Sequence, residues 1–287
     1  MVAPTVFRNG NIALITGGAS GIGLALAKKC HGYGMKVAIV DISKDSLELA
    51  KRSLGERTIT FAMDVADIGA WGQLKATVEK DLGRIDLLAL NAGIGLKGLW
   101  TEPEYFHNIM NVNVFGVVNG ISTFLPSIRS SASAANPSAI IITGSKQGIT
   151  NPPGNPAYNA SKAAVKSLAE GLSWELRPTL ENPETNVSVY LLVPGWTYTG
   201  LTGAEPGSTK GKPEAAWSGE QVVDYLEKKM EEGKFYVICP DNDTSEQTDK
   251  KRMLWSVGEM VHGRPPLTRW REEYKDEVAE WMTTAKV

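Results

Sequence analysis

Residues 12–23 read Ile12-Ala13-Leu14-Ile15-Thr16-Gly17-Gly18-Ala19-Ser20-Gly21-Ile22-Gly23, and this stretch decides the fold of the 287-residue chain. Its first four residues form a short, unbroken apolar run, which is typical of a strand buried on both faces of a parallel sheet. A glycine-rich turn follows at once and leads into a helical pattern over residues 24–33. Glycines permit a tight turn and let backbone N–H groups approach a pyrophosphate at the helix N-terminus. Glycine turns also occur at helix C-caps and bulges, but strand, turn and helix in this order favour dinucleotide binding.

The alternation of apolar strands and helical patterns continues along the chain. Strands are predicted over residues 37–40, 58–63, 85–90, 139–143, 187–193 and 235–239, and helices over residues 67–82, 104–128 and 156–177. We expect Pro126 to kink or end the second of these helices, and residues 129–138 to form an exposed loop. The order predicts an α/β fold: a Rossmann-like, doubly wound parallel sheet of about seven strands with helices on both faces.

Polar or glycine residues stand at or just past the carboxyl ends of six predicted strands. They are Gly17, Asp41, Asp64, Asn91, Ser145 and Gly195. Ligands of such sheets bind beyond the carboxyl ends of the strands, so these residues are expected to meet at one site. Asp41 can hydrogen-bond both ribose hydroxyls of NAD and would repel the 2′-phosphate of NADP, unless it is merely a helix-starting acid. Neither Ser20 nor Ile42 is a basic residue that could bind that phosphate, although Lys44 is close to Asp41 in sequence.

A second informative stretch reads Asn155-Pro156-Ala157-Tyr158-Asn159-Ala160-Ser161-Lys162. Asn155 suits an N-cap and Pro156 suits the first helical position, so a helix should start here. Tyr158 and Lys162 are four residues apart and then share one helix face. The ammonium favours phenolate and is expected to pull the pKa of Tyr158 down toward neutral pH. Such a pair is common on protein surfaces, but Ser145, at the end of an apolar strand, favours a catalytic role.

These motifs resemble those of a short-chain dehydrogenase/reductase of the single-domain type, over about residues 8–240. The resemblance implies hydride exchange between the C4 atom of a nicotinamide and a carbinol or carbonyl carbon. The implied catalytic residues are Asn113, Ser145, Tyr158 and Lys162. The implied cofactor contacts, with NAD as the expected cofactor, are Gly17, Ser20, Gly21, Ile22, Gly23, Asp41, Asp64, Val65, Asn91, Ala92, Gly93, Tyr158, Lys162, Pro194, Gly195 and Thr197.

The resemblance also implies a role for each catalytic residue. Tyr158 would exchange the hydroxyl proton, and Lys162 would hold the nicotinamide ribose. Ser145 would hydrogen-bond the substrate oxygen and steady its developing charge. Asn113 would hold a water that links Lys162 to solvent. Two other classes stay open: an NAD-binding sensor or scaffold without turnover, and a non-redox isomerisation or cyclisation on the same fold.

The segment after the sixth strand departs from the family pattern at Trp196. Thr197 is therefore the expected carboxamide contact, with Thr199 as the alternative. Residues 196–217 are rich in Gly, Thr and Pro, as a mobile lid would be. Apolar side chains that would line a pocket are Trp196, Tyr198, Leu201, Trp217, Leu96, Leu99 and Trp100. We expect a bulky or aromatic secondary alcohol or ketone as substrate, and the alternative is that these side chains only pack the lid.

Composition argues against several other classes of protein. The chain is 42% hydrophobic and 22% charged, and its formal net charge is -2. It therefore lacks the excess of basic residues that is typical of proteins that bind nucleic acid or an anionic membrane. Only Cys30 and Cys239 are present and the three histidines are scattered, so neither a disulfide framework nor a metal site is expected. No apolar run approaches membrane-spanning length. A cytoplasmic enzyme is the resulting expectation.

One domain is expected over residues 1–287, with a core over about 8–240 and a helical extension over about 241–287. The extension is predicted to form two amphipathic helices divided by residues 263–266. Small residues on the helices of residues 104–128 and 156–177 would let these helices pair across a two-fold axis: Gly116, Gly120, Ala160, Ala164 and Gly171. We therefore expect a homodimer or homotetramer, whose tails pack over the sheet edge or a neighbouring subunit near the substrate cleft.

Overall fold

Seven strands form a single parallel sheet in the order β3-β2-β1-β4-β5-β6-β7. The computed structural model describes residues 6–55, 57–180, 186–203 and 211–287. The strands are β1 (Ile12–Thr16), β2 (Lys36–Asp41), β3 (Ile59–Ala62), β4 (Leu87–Leu90), β5 (Ser138–Thr143), β6 (Val187–Val193) and β7 (Tyr236–Ile238). The predicted doubly wound sheet is confirmed.

Helices connect the strands and continue past the last of them. The helices of the described ranges are α1 (Gly21–Gly32), α2 (Lys44–Leu54), α3 (Ile68–Asp81), α4 (Pro103–Met110), α5 (Gly116–Ser131), α6 (Gln147–Thr150), α7 (Pro156–Glu175), α8 (Gly219–Glu231), α9 (Glu246–Val261) and α10 (Lys275–Thr284). A π-helical turn, Asn111–Phe115, joins α4 to α5. Short 3₁₀ turns lie at Gly200–Thr202, Thr268–Trp270 and Glu272–Tyr274.

The sheet is covered on both faces, which is why its strands read as continuous apolar runs. Leu14 of β1 packs into a core cluster with side chains of α3, α5 and α7. Its neighbours Ala13 and Ile15 point to the opposite face and pack with side chains of α1, α2 and α8. Every residue of β1 is buried as a result.

Helix α5 corrects the prediction for Pro126. This proline lies inside α5, and the helix continues to Ser131, so the predicted loop begins at Ala132 rather than at residue 129. Phe124 and Ile128, on either side of the proline, are fully buried in the core. Burial of two large side chains holds the helix together and offsets the backbone hydrogen bond that proline removes.

The continuous helical run Pro103–Ser131 also departs from the expectation about membrane-spanning length. Its length and composition alone would allow it to cross a membrane, and 44% of its most apolar window is buried inside the protein. The buried side chains of α5 pack in the core against β4 and α3. Packing against the sheet therefore accounts for the apolar character of this run.

The C-terminal extension folds back onto its own chain. Two helices are present as predicted, but Trp270 belongs to a 3₁₀ turn between them rather than to the second helix. Trp255 is 1% exposed and its ring centroid lies 5.4 Å from that of Trp281. The Arg264 guanidinium stacks 3.9 Å from the Trp255 ring centroid. Helix α9 also contacts α6, which brings the extension close to the carboxyl edge of the sheet.

Candidate active site

The glycine turn after β1 is a geometric necessity. Gly17 has a backbone φ of +61°, a conformation that strains other residues. A Cβ on Gly23 would lie 2.0 Å from the Gly17 carbonyl oxygen, and one on Gly18 would lie 2.7 Å from the Ile39 side chain. Only glycine lets helix α1 start this close to β1 and β2.

The first turn of α1 offers backbone N–H groups to an anion. Ser20 is the N-cap residue and makes no side-chain cap hydrogen bond. The N–H groups at the start of the helix, beginning with Gly21 and Ile22, have no intrahelical acceptor, and the helix dipole favours negative charge there. A Cβ on Gly21 would also press on the Thr199 methyl group at 2.9 Å, so the segment after β6 lies directly over this turn.

The Asp41 carboxylate is held beside the glycine turn at the end of β2. Its Oδ2 accepts from the Ala19 N–H at 3.2 Å and its Oδ1 accepts from the Ser43 N–H at 3.2 Å. Ser43, rather than Asp41, caps helix α2, because its side chain accepts from the Ser46 N–H. Capping α2 therefore does not explain Asp41, whose position suits a ribose contact.

Asp64 and Val65 follow β3 and differ in exposure. The exposed Asp64 accepts from the Ala66 N–H through Oδ1 at 2.9 Å. Val65 is buried, and its carbonyl accepts from Trp71 Nε1 at 2.9 Å and from Asn119 Nδ2 at 3.1 Å. These bonds fix the turn after β3 on the same sheet edge as the glycine turn.

Asn91 joins three strand ends across the crevice of the sheet. Its Nδ2 donates to the Thr16 carbonyl at 3.2 Å, and its Oδ1 accepts from Thr143 Oγ1 at 3.1 Å. The Thr16 hydroxyl accepts from the N–H groups of Asn91 and Ala92, at 2.9 and 3.1 Å. The ends of β1, β4 and β5 are thereby tied together where the strand order reverses, which is where such sheets bind ligands.

Asn113 lies in the π-helical turn and is fully buried. Its Oδ1 accepts from the Ile94 N–H at 2.8 Å, and its Nδ2 donates to the Ile94 carbonyl at 3.0 Å and to Ser161 Oγ at 3.0 Å. A Cβ on Gly93 would meet Asn113 Oδ1 at 3.2 Å and Lys162 Nζ at 3.5 Å, so these groups are neighbours. Protein groups therefore use both polar atoms of the Asn113 side chain, and its water contact stays a prediction.

Helix α7 brings Tyr158 and Lys162 onto one buried face. Pro156 occupies the first turn as predicted, but Asn155 makes no side-chain cap and instead accepts from the Tyr105 hydroxyl at 2.5 Å. Lys162 Nζ lies 5.8 Å from the centroid of the Tyr158 ring and donates to the Thr143 carbonyl at 2.9 Å. The Ser145 hydroxyl lies close enough to the Tyr158 hydroxyl to oppose the rise of the pKa of this phenol.

Burial changes the acid–base properties of this pair from those expected. It raises the pKa of Tyr158, and the hydrogen bond with Ser145 offsets only part of that shift. The expected fall of the Tyr158 pKa is therefore wrong for this structure. Burial also lowers the pKa of Lys162 to about 8. At neutral pH the phenol keeps its proton, because the low-polarity surroundings penalise phenolate.

Thr197 and Thr199, both in the segment after β6, have different surroundings. Pro194 and Gly195 are half-buried and follow the strand directly. Thr197 is 4% exposed and its hydroxyl donates to the Gly195 carbonyl at 3.1 Å. Thr199 covers the glycine turn instead. Residues 204–210 of the predicted lid lie outside the described residues.

Sequence reasoning missed three charged residues behind this segment: Lys146, Asp241 and Asp249. Lys146 Nζ forms ion pairs with Asp241, at 3.4 Å, and with Asp249. They come from three separate parts of the chain, so no local spacing announces them. Only the charge of Lys146 directly after Ser145 could have drawn attention to the site.

The residues along this edge fit a nicotinamide dinucleotide. The glycine cradle admits no Cβ, the start of α1 offers N–H groups to a pyrophosphate, and Asp41 offers a carboxylate to a ribose. Within the described ranges, no group of three or more His, Cys, Asp or Glu residues could hold a metal ion. Cys30 and Cys239 are buried free thiols.

Comparisons with known proteins agree with this geometry. The family described as short chain dehydrogenase matches residues 11–208. A 3-dehydrosphinganine reductase of Arabidopsis thaliana is 35% identical over 254 residues, covering 82% of this chain and 71% of the relative. A 2,5-dichloro-2,5-cyclohexadiene-1,4-diol dehydrogenase of Sphingobium indicum is 32% identical, covering 69% of this chain and 77% of the relative.

A solved structure extends the likeness to almost the whole chain. A short-chain dehydrogenase/reductase from Burkholderia phymatum, in complex with NAD, superimposes with a TM-score of 0.77 at 25% identity. The match covers 92% of this chain and 98% of that one. The sheet order, the glycine cradle and the Ser145–Tyr158–Lys162 arrangement lead to the same assignment as these comparisons. This chain belongs to the short-chain dehydrogenase/reductase family of oxidoreductases.

Proposed function

We propose that this protein is an NAD(H)-dependent oxidoreductase that interconverts a secondary alcohol and a ketone, with Tyr158 as the general acid and base. The observation that carries the proposal is the buried constellation of Tyr158, Ser145 and Lys162. The Ser145 hydroxyl is close enough to Tyr158 to act on the pKa of the phenol, and Lys162 lies on the same helix face as Tyr158 and donates to the Thr143 carbonyl. A phenol and a hydroxyl aimed at one point can hold and protonate a carbonyl oxygen.

The side chains divide the proton chemistry of the reaction. A bound nicotinamide would supply or accept the hydride at the substrate carbon. During reduction, the O–H bond of Tyr158 breaks and its proton passes to the carbonyl oxygen, which becomes the hydroxyl of the product alcohol. During oxidation, the alcohol returns that proton to the phenolate of Tyr158. Ser145 donates a hydrogen bond to the same oxygen as charge develops there, and Lys162 holds the ribose.

The preference for NAD over NADP rests on the position of Asp41. Its carboxylate is fixed beside the glycine turn by the Ala19 and Ser43 N–H groups. A 2′-phosphate would bring a second negative charge to this carboxylate, whereas ribose hydroxyls would donate to it. Lys44 is exposed at the start of α2 and is the nearest base in sequence.

The substrate side of the site is apolar, which favours a bulky or aromatic alcohol or ketone. The Leu201 side chain lies close to the backbone at Gly95, since a Cβ on Gly95 would lie 3.0 Å from Leu201 Cδ1. Trp100 is 78% exposed beside Phe106, and Trp196 is 47% exposed. Further exposed leucines on the same side are Leu96 and Leu99.

Trp217 does not join that apolar lining. Its Nε1 donates to Asn242 Oδ1 at 3.1 Å, and its ring packs against Tyr225 with centroids 5.7 Å apart. It belongs to the core cluster on the α8 side of the sheet. These contacts support a packing role for Trp217, which is the alternative to its lining the substrate pocket.

A homodimer or homotetramer remains our proposal for the assembly. Of the small residues first expected at the contact, Ala160 and Gly171 are exposed on α7. Gly116 and Gly120 face inward, since a Cβ on either would meet the Val65 or Leu90 side chain below 3 Å. Large apolar side chains on the outer surface are better candidates for a subunit contact: Phe115, Leu168 and Trp174, which are 51%, 37% and 65% exposed. A cytoplasmic location also remains a prediction.

One measurement tests the proposed activity. The full chain is incubated with NADH and a panel of aryl ketones, aliphatic ketones and small keto acids, and with NAD and the matching alcohols. We expect the absorbance of the reduced nicotinamide to change fastest with the aryl substrates. Faster turnover of small hydroxy or keto acids would overturn the substrate class. Cofactor binding without turnover of any substrate would favour a sensor, and product without an absorbance change would favour non-redox chemistry.

A further inference from the structure

A buried group of charges lies directly behind the proposed reaction site. Lys146, Asp241 and Asp249 have side chains that are 15%, 11% and 3% exposed. Lys146 Nζ lies 3.4 Å from Asp241 Oδ2. It also forms an ion pair with Asp249, but this second contact is not an aligned hydrogen bond. Arg252 adds a second cation, 3.7 Å from Asp249. Burying such charges is costly unless they are paired, so each member depends on the others.

The cluster touches both sides of the reaction site. Lys146 directly follows Ser145, whose hydroxyl accepts from the Gln147 N–H at 3.2 Å, and Lys146 itself is the N-cap residue of helix α6. Asp241 Oδ2 accepts from the Trp196 N–H at 3.2 Å. A Cβ on Gly195 would lie 2.8 Å from Lys146 Nζ and 2.9 Å from Asp241 Oδ2. The chain after β6 therefore rests on the cluster at the point where it turns toward the glycine cradle.

The third member comes from the C-terminal extension. Asp249 lies in the first turn of α9, and burial raises its pKa while Lys146 opposes that shift. Helix α9 is held by a built-in network: Glu259 accepts from the N–H groups of Leu267 and Thr268, and Trp255 Nε1 donates to Thr268 Oγ1 at 2.8 Å. The extension thus delivers a fixed carboxylate to the back of the site.

We propose that Lys146, Asp241 and Asp249 are positioning residues, which hold Ser145 and the Gly195–Trp196 segment in register for the reaction. The inference rests on the proposed oxidoreductase function and adds a role for the C-terminal extension. The ends of β5 and β7 and the start of α9 meet at one ammonium group, although Lys146 is about a hundred residues before the two carboxylates in sequence. Displacing that group moves Ser145 and Trp196 together, and a misplacement of about 1 Å at a reacting centre can cost roughly 100-fold in rate.

The test separates positioning from stability with four variants of the full chain. Lys146→Met removes the ammonium that both carboxylates share and leaves Asp249 with Arg252 alone as its cation, and Lys146→Arg keeps the charge. The double variant Lys146→Met/Asp249→Leu also removes the more deeply buried of the two carboxylates, while Asp241 still accepts from the Trp196 N–H, so it should regain much of the unfolding midpoint. Asp243→Asn is the matched control, because Asp243 is exposed in the turn that carries Asp241. Urea unfolding midpoints, kcat, KM and NADH binding by fluorescence are measured for each.

For Lys146→Met we expect kcat to fall roughly 10- to 100-fold with NADH affinity within about threefold of wild type. Lys146→Arg should retain most of kcat, and Asp243→Asn should match wild type. The double variant should recover its unfolding midpoint while kcat stays low. If kcat recovers together with the midpoint, or never falls in Lys146→Met, the cluster is only structural and the proposal is overturned. A wild-type chain without turnover refutes the oxidoreductase function itself, before any variant is compared.

Discussion

Lys162 is predicted to reduce the stability of the folded protein while it serves the active site. Its ammonium is 4% exposed, and burial lowers its pKa from the ordinary 10.5 to about 8. The substitution Lys162→Met keeps the length and apolar character of the side chain and removes the titrating group. Activity should be lost, but the folded state should gain free energy at neutral pH.

The magnitude follows from the difference between the two pKa values. Below pH 8 the lysine is charged both folded and unfolded, so the folded state carries the full penalty of about 3 kcal/mol. Methionine also forfeits the hydrogen bond that Lys162 Nζ donates to the Thr143 carbonyl at 2.9 Å, worth about 1 kcal/mol. The variant should therefore be more stable than wild type by about 2 kcal/mol at pH 7.

The sign of the pH dependence is fixed by the direction of the shift. Between about pH 8 and 10.5 the unfolded chain binds more protons at Lys162 than the folded chain, so wild-type stability gains as pH rises. From pH 7 to 9 that gain is about 1 kcal/mol, and the variant lacks it. The stability advantage of Lys162→Met over wild type should therefore shrink by the same amount from pH 7 to 9. All other titrating groups are shared by the two proteins and cancel in the comparison.

Urea unfolding followed by tryptophan fluorescence, at about pH 7 and pH 9, measures both quantities. Lys166→Met is the matched control, because Lys166 lies one turn further along α7 in a half-exposed pair with Glu170 at 2.8 Å. Its effect on stability should be the same at both pH values, since that ammonium stays in contact with water. If the free energy of unfolding changes equally in Lys162→Met and in wild type from pH 7 to 9, the reasoning is refuted.

The proposed chemistry predicts four further outcomes. Tyr158→Phe should keep NADH binding in a fluorescence titration and lose about 10²–10⁴-fold in turnover, and near-normal turnover would contradict the acid–base role. Because burial raises the pKa of Tyr158, the rate of ketone reduction should be constant from about pH 6 to 8, whereas the rate of alcohol oxidation should rise with pH. The same pH dependence in both directions would argue against a raised pKa of Tyr158. Asp41→Ala should narrow the ratio of kcat/KM for NAD and NADP, and an unchanged ratio would remove Asp41 from cofactor choice. Light scattering should give a dimer or tetramer for the full chain, and Trp174→Glu should reduce the mass; a monomeric wild type would leave the assembly without support.

Much of the sheet could be predicted from sequence because its determinants are local. Each strand is an apolar run of a few residues, and its end is marked by a polar or glycine residue that the sheet edge requires. The glycine turn is the clearest case, since the positive φ of Gly17 and the missing space at Gly23 follow from the bend itself. Helix α2 was missed although its signals are local too: Ser43 caps it, and Leu47 and Leu54 form its buried face.

Features that depend on distant partners could not be predicted in this way. The π-helical turn places Asn113 against Ile94 and Ser161, and neither partner is near it in sequence. Pro126 continues a helix because buried neighbours compensate for its missing hydrogen bond. Lys146 and Asp249 are about a hundred positions apart, and their pairing depends on where the extension packs. A chain shortened near Asp241 would lose this pairing together with the whole helical extension, so truncation alone cannot test the pairing.

Burial sets the protonation state in which Tyr158 rests, and the Tyr158–Lys162 pair shows how. Their spacing on one helix face predicted that the ammonium would stabilise phenolate. In the folded chain the same burial that brings them together penalises both charged forms, so the pKa of Tyr158 rises and that of Lys162 falls. Because the pKa of Tyr158 is raised, the phenol retains its proton near neutral pH. The site therefore rests as a proton donor, and ketone reduction is the direction for which Tyr158 needs no prior deprotonation.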